Sequence, residues 1–334
     1  MLKVSVVIVT WNGRQLLADC FEALRSQSCP PHEVIVIDNG SADGTMEYLA
    51  TIDWDVLKVL GLKENRGFSG GNNAALPLIT GDVIALLNND ARPRENWISS
   101  AVQAIESGAD MVACRILKAD GETIDKAGHM IYFDGLNRGL GTGERNGPSF
   151  SERVPALWPD GCAAFYRKEM IDEIGFFDDD FYLYGEDADL GFRARRAGFS
   201  CIYEPDSVVI HLQSASLGKF NPQKVFYVER NRIYLLIKNF PLLWILISPW
   251  FTFKRYGMNL FSMASGKGAA AGFRKEKSSA SLAWVLIRAT SAGLWNLPKM
   301  WRKRTRVSNR ISHSEIKALL KKYRISAREL TLSD

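Results

Sequence analysis

Residues 4–13 read Val-Ser-Val-Val-Ile-Val-Thr-Trp-Asn-Gly. The run from Val4 to Thr10 is nearly continuous in β-branched residues. It lacks the regular polar alternation of a half-exposed strand and reads as a strand buried on both faces. The same signal recurs outward from it, as EVIVID at 33–38, a short strand at 56–60 and DVIALL at 82–87. Between these runs the spacing predicts helices at 16–26, at 43–49 with Ser41 or Asp43 as caps, at 69–79 after a glycine-rich turn, and at 94–107. Strands alternating with helices predict an α/β fold, a mostly parallel Rossmann-like sheet flanked by helices. Ligands of such sheets bind beyond the carboxyl ends of the strands.

The chain has 334 residues, of which 46% are hydrophobic and 24% charged, enough for a large core and unlike a disordered or collagen-like chain. Five cysteines without a CxxC pair argue against a disulfide framework or a zinc ribbon and fit a reducing compartment. The amino terminus runs straight into the first strand, so no secretory leader is expected. Glycines 135, 139, 141, 143 and 147 crowd one stretch that reads as a loop. Strands are expected at 162–166 and 201–204, with a helix at 186–197 between them.

Charge is distributed unevenly. Residues 254–334 carry 18 Lys and Arg against 4 Asp and Glu, a net +14, whereas residues 1–253 carry 24 against 33, a net −9. A basic tail on an acidic body points to a polyanion, either nucleic acid or an anionic membrane. Helical spacing at 225–238 is followed by 15 uncharged residues, NFPLLWILISPWFTF at 239–253, too short and too interrupted by Pro241 and Pro249 to span a bilayer. Trp284, Trp295 and Trp301 lie among Arg288, Lys299, Arg302, Lys303, Arg304 and Arg306. Aromatic and basic residues interleaved beside an apolar stretch suit a membrane surface, and equally a helical subdomain with a solvated basic face.

The first strand is followed by a single glycine, and neither GxGxxG nor GxxxxGK[ST] occurs, which disfavours a dinucleotide-binding dehydrogenase and a P-loop NTPase. Small polar residues follow the strands instead. Asp38 in DNGS can accept a hydrogen bond from N3–H of a uracil or thymine, or simply serve as a turn residue. Asn65-Arg66-Gly67-Phe68-Ser69-Gly70-Gly71-Asn72 opens a helix where glycines let the backbone approach a ribose or phosphate. Asn88-Asn89-Asp90 ends a central strand with one carboxylate able to hold a divalent ion against a diphosphate. Glu186 and Asp187 fall in the first turn of a helix, where the dipole favours carboxylates, and Asp189 with Arg193 is expected to pair on the helix surface.

In order and spacing, SVVIVTWN, VIDNGSADGT at 36–45, ENRGFSGGNNAAL at 64–76, LLNND at 86–90 and FYLYGEDADLGFRARRAGF at 181–199 resemble the inverting nucleotide-sugar glycosyltransferases of family 2, with the GT-A fold. The resemblance spans about residues 3–240. It implies a GT-A domain over 1–220 and leaves 221–334 as a helical, basic, amphipathic membrane-associating extension. It implies donor contacts from Thr10, Asn12, Asp38, Asn65, Arg66, Gly70, Gly71, Asn72, Asn88, Asn89 and Asp90, and an acceptor side lined by Trp158, Asp160 and Gly161. By the same resemblance Asp187 is the general base and Glu186 its orienting neighbour. The family's metal motif is often Asp-X-Asp. Asn88 stands at its first position here, a form similar to the bacterial rhamnosyltransferase branch, which uses a dTDP-sugar. His211 is then expected to join Asp90 in holding Mg or Mn.

The expectation is a metal-dependent transfer of a sugar, L-rhamnose from dTDP-rhamnose first, onto a lipid-linked or polysaccharide acceptor at the cytoplasmic face of the membrane. A UDP-hexose or UDP-N-acetylhexosamine transferase of the same fold is the alternative enzyme. A non-catalytic polyanion-binding scaffold using the basic tail is the alternative of another class. The acidic pair 186–187 argues against the scaffold, and no nucleic-acid partner is expected.

Overall fold

The computed structural model describes residues 2–213, 221–266 and 278–332. In chain order it contains β1 (Val4–Thr10), α1 (Arg14–Arg25), β2 (Glu33–Asp38), α2 (Thr45–Leu49), β3 (Leu57–Gly61), α3 (Gly67–Ala75), β4 (Val83–Leu87), β5 (Ala91–Pro93), α4 (Trp97–Glu106), β6 (Met111–Lys118), β7 (Ile124–Lys126), β8 (His129–Ile131), β9 (Asn137–Gly139) and β10 (Val154–Pro155). There follow β11 (Ala163–Arg167), α5 (Lys168–Ile174), α6 (Glu186–Arg196), β12 (Cys201–His211), α7 (Pro222–Asn239), α8 (Leu242–Ser265), α9 (Ser279–Trp295), α10 (Leu297–Arg304), α11 (His313–Lys322) and α12 (Ala327–Leu332). Two compact units share the chain, the first made of 1–128, 139–183 and 199–214, the second of 129–138, 184–198 and 215–334.

The first unit is built on one sheet of order β10-β12-β6-β11-β4-β1-β2-β3, with β5 on β12 and β7 on β6. Strands β4, β1, β2 and β3 run parallel, as do β6 and β12, while β11 runs antiparallel to both β4 and β6. Every residue of β2 and β4 is buried, the apolar runs Val34–Ile37 and Val83–Leu87 as expected and the flanking carboxylates Glu33 and Asp38 with them. Helices α1 and α4 cover the sheet with Leu17, Phe21, Leu24, Trp97, Ile98 and Val102, in the same cluster as Val6, Ile8 and Val34. The Trp97 ring sits 4.6 Å from that of Phe165.

Three local expectations change. Helix α2 begins at Thr45 with Gly44 in the capping position, so neither Ser41 nor Asp43 caps it. Asp43 braces the entry instead, accepting from the Thr45 and Arg14 amides. The glycine-rich stretch is not a plain loop, because β9 within it pairs with β8, the Gly143 amide donates to the Ile124 carbonyl and the Ile124 amide donates to the Glu144 carbonyl. Asp189 and Arg193 do pair, at 2.9 Å, but neither is on the surface.

In the second unit α7 is the central helix. Helix α9 lies close against it because Gly293 has no Cβ, which would come within 2.6 Å of Ile233. The apolar stretch after residue 239 is one helix, α8, that runs through Pro249 rather than ending near it. Among the described residues no helix is long and apolar enough to cross a membrane. The buried face of α8 is held by charge. Arg255 donates to Asp134 at 2.7 Å and to both oxygens of Glu229, which also accepts from Arg232 at 2.7 Å. Burial opposes ionisation of Glu229, but the two guanidiniums outweigh it and hold its carboxyl well below the usual range.

Candidate active site

Strand β1 has β2 on one side and β4 on the other, so the chain changes direction of winding at β1. The crevice at the carboxyl ends of β1 and β4 is where a doubly wound sheet takes its ligand. The residues after these strands meet there. Asn89, after β4, donates to the Thr10 hydroxyl at the end of β1, at 2.9 Å. Asn12, in a left-handed conformation, accepts from the Ala42 amide at 2.8 Å and its own amide donates to Ser41. The loops after β1 and β2 are thereby tied together. Asp38 at the end of β2 is buried, one oxygen accepting from the Ser41 amide. Its other oxygen, also buried, has no hydrogen-bond partner among the described residues. A buried acceptor left unmade is costly, which marks Asp38 as a place for a ligand donor.

Sequence reading passed over the neighbour of Asp38. Asn39 is buried, accepts from the Arg66 amide at 2.9 Å and donates to the Gly67 carbonyl at 2.9 Å. It fixes the turn that launches α3. Asn65 completes that turn by accepting from the Gly67 amide. Gly67 has φ +69°, and a Cβ there would collide with the Tyr182 carbonyl oxygen, so only glycine fits. The glycines expected to approach a ligand have packing roles as well. A Cβ on Gly71 would lie 2.6 Å from Val9, and one on Gly70 would lie 2.7 Å from the Arg66 Cβ. Asn72 is buried and donates to the Phe68 carbonyl within α3. Arg66 is half exposed, its guanidinium 3.8 Å from Asp179. The side chain of Asn88 makes no hydrogen bond among the described residues, but its backbone amide donates to the Cys162 carbonyl at 2.8 Å, holding the β4 end against β11.

Asp90 and His211 come together. Strand β5 starts immediately after Asp90 and pairs antiparallel with the end of β12, His211 opposite Ala91. The Leu212 amide donates to the Asp90 carbonyl at 3.0 Å. His211 Nε2 therefore stands 3.3 Å from Asp90 Oδ1. The other ring nitrogen, Nδ1, is 2.8 Å from Asp125 Oδ2, and Gln213 donates to the remaining Asp125 oxygen at 2.8 Å. Burial alone would raise the Asp125 carboxyl, but the His211 hydrogen bond and the Lys126 charge bring it below the usual range. Burial likewise disfavours a charged His211, yet the Cys162 sulfur and the Asp125 and Asp90 carboxylates together push its pKa far up. Asp125 carried no signal in the sequence, because it reaches His211 only through the pairing of β7 with β6 and of β6 with β12.

On the expected acceptor side, Trp158 is fully buried and Asp160 nearly so. Asp160 accepts from Lys126 Nζ at 2.6 Å and from the Cys162 amide at 2.9 Å, which shapes the turn around Gly161. Glu186 and Asp187 belong to the second unit and open α6 behind a left-handed Gly185. Both are buried, and His129 of β8, another residue the sequence did not single out, has its Nε2 3.8 Å from Asp187 Oδ2.

These arrangements are those of a known fold. The chain resembles the mannosyltransferase of Pyrobaculum calidifontis, solved with GDP-mannose and Mn2+, with a TM-score of 0.56 over 88% of each chain at 18% identity. It is 27% identical over 62% of its length to a glycosyltransferase of Haloferax volcanii, of which it spans 66%. It is 26% identical over 64% of its length to the N-acetylglucosaminyl-diphospho-decaprenol L-rhamnosyltransferase of Mycobacterium tuberculosis, of which it spans 77%. The glycosyl transferase family 2 model matches residues 5–175, half of the chain, and with the crevice at β1 and β4 built as described, the protein belongs to that family.

Proposed function

We propose that this protein transfers a sugar from a pyrimidine nucleoside diphosphate to a hydroxyl acceptor with inversion, dTDP-L-rhamnose being the preferred donor and a lipid-linked or polysaccharide glycan the acceptor. The observation that carries the reading is the convergence of Asp90 and His211 beside the crevice of β1 and β4. One carboxylate oxygen and one imidazole nitrogen, 3.3 Å apart, are spaced as neighbouring ligands of one divalent ion. The imidazole suits Mn better than Mg. Asp90 and His211 would hold such an ion, which would supply positive charge against the departing diphosphate.

The rest of the reading concerns the chain's own groups. The buried, unpartnered oxygen of Asp38 accepts from N3–H of uracil or thymine, a donor that guanine and adenine do not offer in the same place. Equal affinity for GDP and dTDP in titration calorimetry would count against it. Asp187 takes the proton of the acceptor hydroxyl from its place in the first turn of α6, where the helix dipole favours a carboxylate. The rhamnosyltransferase relative and the Asn88-Asn89-Asp90 form of the metal motif support rhamnose; a UDP-hexose donor is the competing reading.

The test is turnover with a panel of dTDP- and UDP-sugars, with product anomers read by NMR, in the wild type and in Asp187→Asn. The variant keeps shape and removes basicity, so kcat falls about 10²–10⁴-fold while donor affinity holds. Normal turnover by Asp187→Asn, or a product that keeps the donor's anomeric configuration, refutes the mechanism.

A further inference from the structure

Helix α8 is built inside out. Its buried residues are Trp244, Ser248, Arg255 and Ser262, three of them polar. Its exposed residues include Leu243, Leu246, Trp250, Phe253 and Phe261, with Leu246 76% and Phe253 70% exposed. At 3.6 residues per turn these two sets fall on opposite sides of the helix. A surface helix in water shows the reverse, apolar residues inward and polar residues outward. Helix α9 repeats the theme. It buries Val285 and Ala289 and exposes Trp284, Ile287, Leu294 and Trp295, the last at 86%. Large apolar side chains this exposed on two helices mark a contact with something other than water.

Charge decides what that something is. Among the described residues α8, α9 and α10 contain no Asp or Glu, while Lys254, Arg288, Lys299 and Arg302 are exposed on them. The tryptophans are side chains that favour the boundary between hydrocarbon and headgroups. A two-fold contact between copies of the chain through these faces would bring basic residues against basic residues with no acidic partner on these helices. Anionic lipid headgroups meet both features at once, and neither helix is apolar and long enough to cross the bilayer. We propose that the outward faces of α8 and α9 are a docking surface for an anionic bilayer, the helices lying in the headgroup boundary. The proposal does not depend on the transfer reading, since a chain with no transferase activity would still bind.

The experiment is flotation of the full chain with vesicles of phosphatidylglycerol and phosphatidylcholine, against vesicles of phosphatidylcholine alone. Binding is expected to the first, at least tenfold stronger than to the second, and to weaken in molar salt. The triple variant Leu246→Ser, Trp250→Ser, Phe253→Ser removes exposed groups only, so thermal unfolding should be preserved and vesicle binding lost. Each of Lys254→Gln, Arg288→Gln and Arg302→Gln should cost about fivefold in affinity. In the wild type, tryptophan fluorescence should be quenched more by lipids brominated near the glycerol than near the chain end, a readout that needs no variant. Binding indifferent to lipid charge and salt, or untouched by the triple variant, overturns the proposal. Self-association in sedimentation that the triple variant abolishes, without vesicle binding by the wild type, overturns it in favour of a second copy.

Discussion

At the scale of single residues, Asp125 gives His211 its direction. A metal-binding imidazole coordinates through one nitrogen and donates the proton on the other, and the acceptor of that proton fixes both tautomer and ring plane. Here Asp125 Oδ2 sits 2.8 Å from Nδ1, which leaves Nε2 facing Asp90. Gln213 on the other Asp125 oxygen stops the carboxylate from turning away. Asp125→Asn keeps the size and removes the charge. It should weaken Mn binding to the complex with a nucleoside diphosphate by about 10–100-fold, measured by electron paramagnetic resonance titration of free Mn. Asp90→Ala should abolish the metal-dependent part of nucleotide binding altogether. Unchanged Mn affinity in Asp125→Asn would mean that His211 is oriented by its backbone alone.

At the scale of elements, two buried charge clusters say where stability resides. Asp189 on α6 is fully buried and accepts from Arg193 at 2.9 Å, from Lys238 on α7 at 2.8 Å and from Asn239 at 2.9 Å. Lys238 is itself only 3% exposed. Removing one partner of such a pair strands the other charge in the interior, so Asp189→Ala should cost about 3–5 kcal/mol in denaturant unfolding. Lys238→Met in the same chain should restore a large part of it. Additive losses in the double variant would rule out the coupling. At the amino end of the sheet, away from the crevice, Glu33 on β2 accepts from Ser5, Lys58 and Thr80. Burial would raise its pKa, but the bonds from Lys58, Ser5 and Thr80 win and bring it from 4.5 down to about 2. A depressed carboxylate contributes stability that is complete above pH 4.5 and disappears as the pH falls towards 2, here up to about 3 kcal/mol. Glu33→Gln should therefore flatten the acid limb of stability between those values; an unaltered limb would assign acid sensitivity to other groups.

The same elements show what the sequence could and could not disclose. Strands β1, β2 and β4 were legible because burial on both faces writes a run of apolar residues, and α1 and α4 because one apolar face writes a helical period. Strands β7, β8 and β10 are two or three residues long, shorter than any period can declare, and the glycines around them read as loop. Pro249 suggested a break that α8 does not have. Asp38 and Asp90 could be singled out because they stand at strand ends, and His211 through the family resemblance. Asn39, Asp125 and His129 could not, because what matters about them is a partner brought close by strand pairing or by the turn before α3, not their spacing along the chain.

At the scale of the whole molecule, the two proposed tasks fall on residues of different units. The residues expected to hold the donor, from Thr10 to Asp90 together with His211, all belong to the first unit, whereas the basic and apolar faces of α8 and α9 belong to the second. Ligand that binds only the folded state stabilises whatever opening exposes its site, by RT ln(1 + [L]/Kd), about 2.7 kcal/mol at a hundredfold excess over Kd. Amide exchange resolves where that stabilisation falls, because segments open locally with their own free energies. Adding dTDP with Mn should slow exchange in the carboxyl ends of β1, β2 and β4, the first turns of α3, and the paired ends of β5 and β12. Exchange in α8 and α9 should stay as it was, since none of their residues is proposed to touch the nucleotide. Anionic vesicles should do the opposite, protecting 242–265 and 279–295 and leaving the β1–β4 crevice unprotected. Protection of α8 by nucleotide alone would mean that these helices take part in holding the donor, and the assignment of the two tasks to separate parts of the chain would fall.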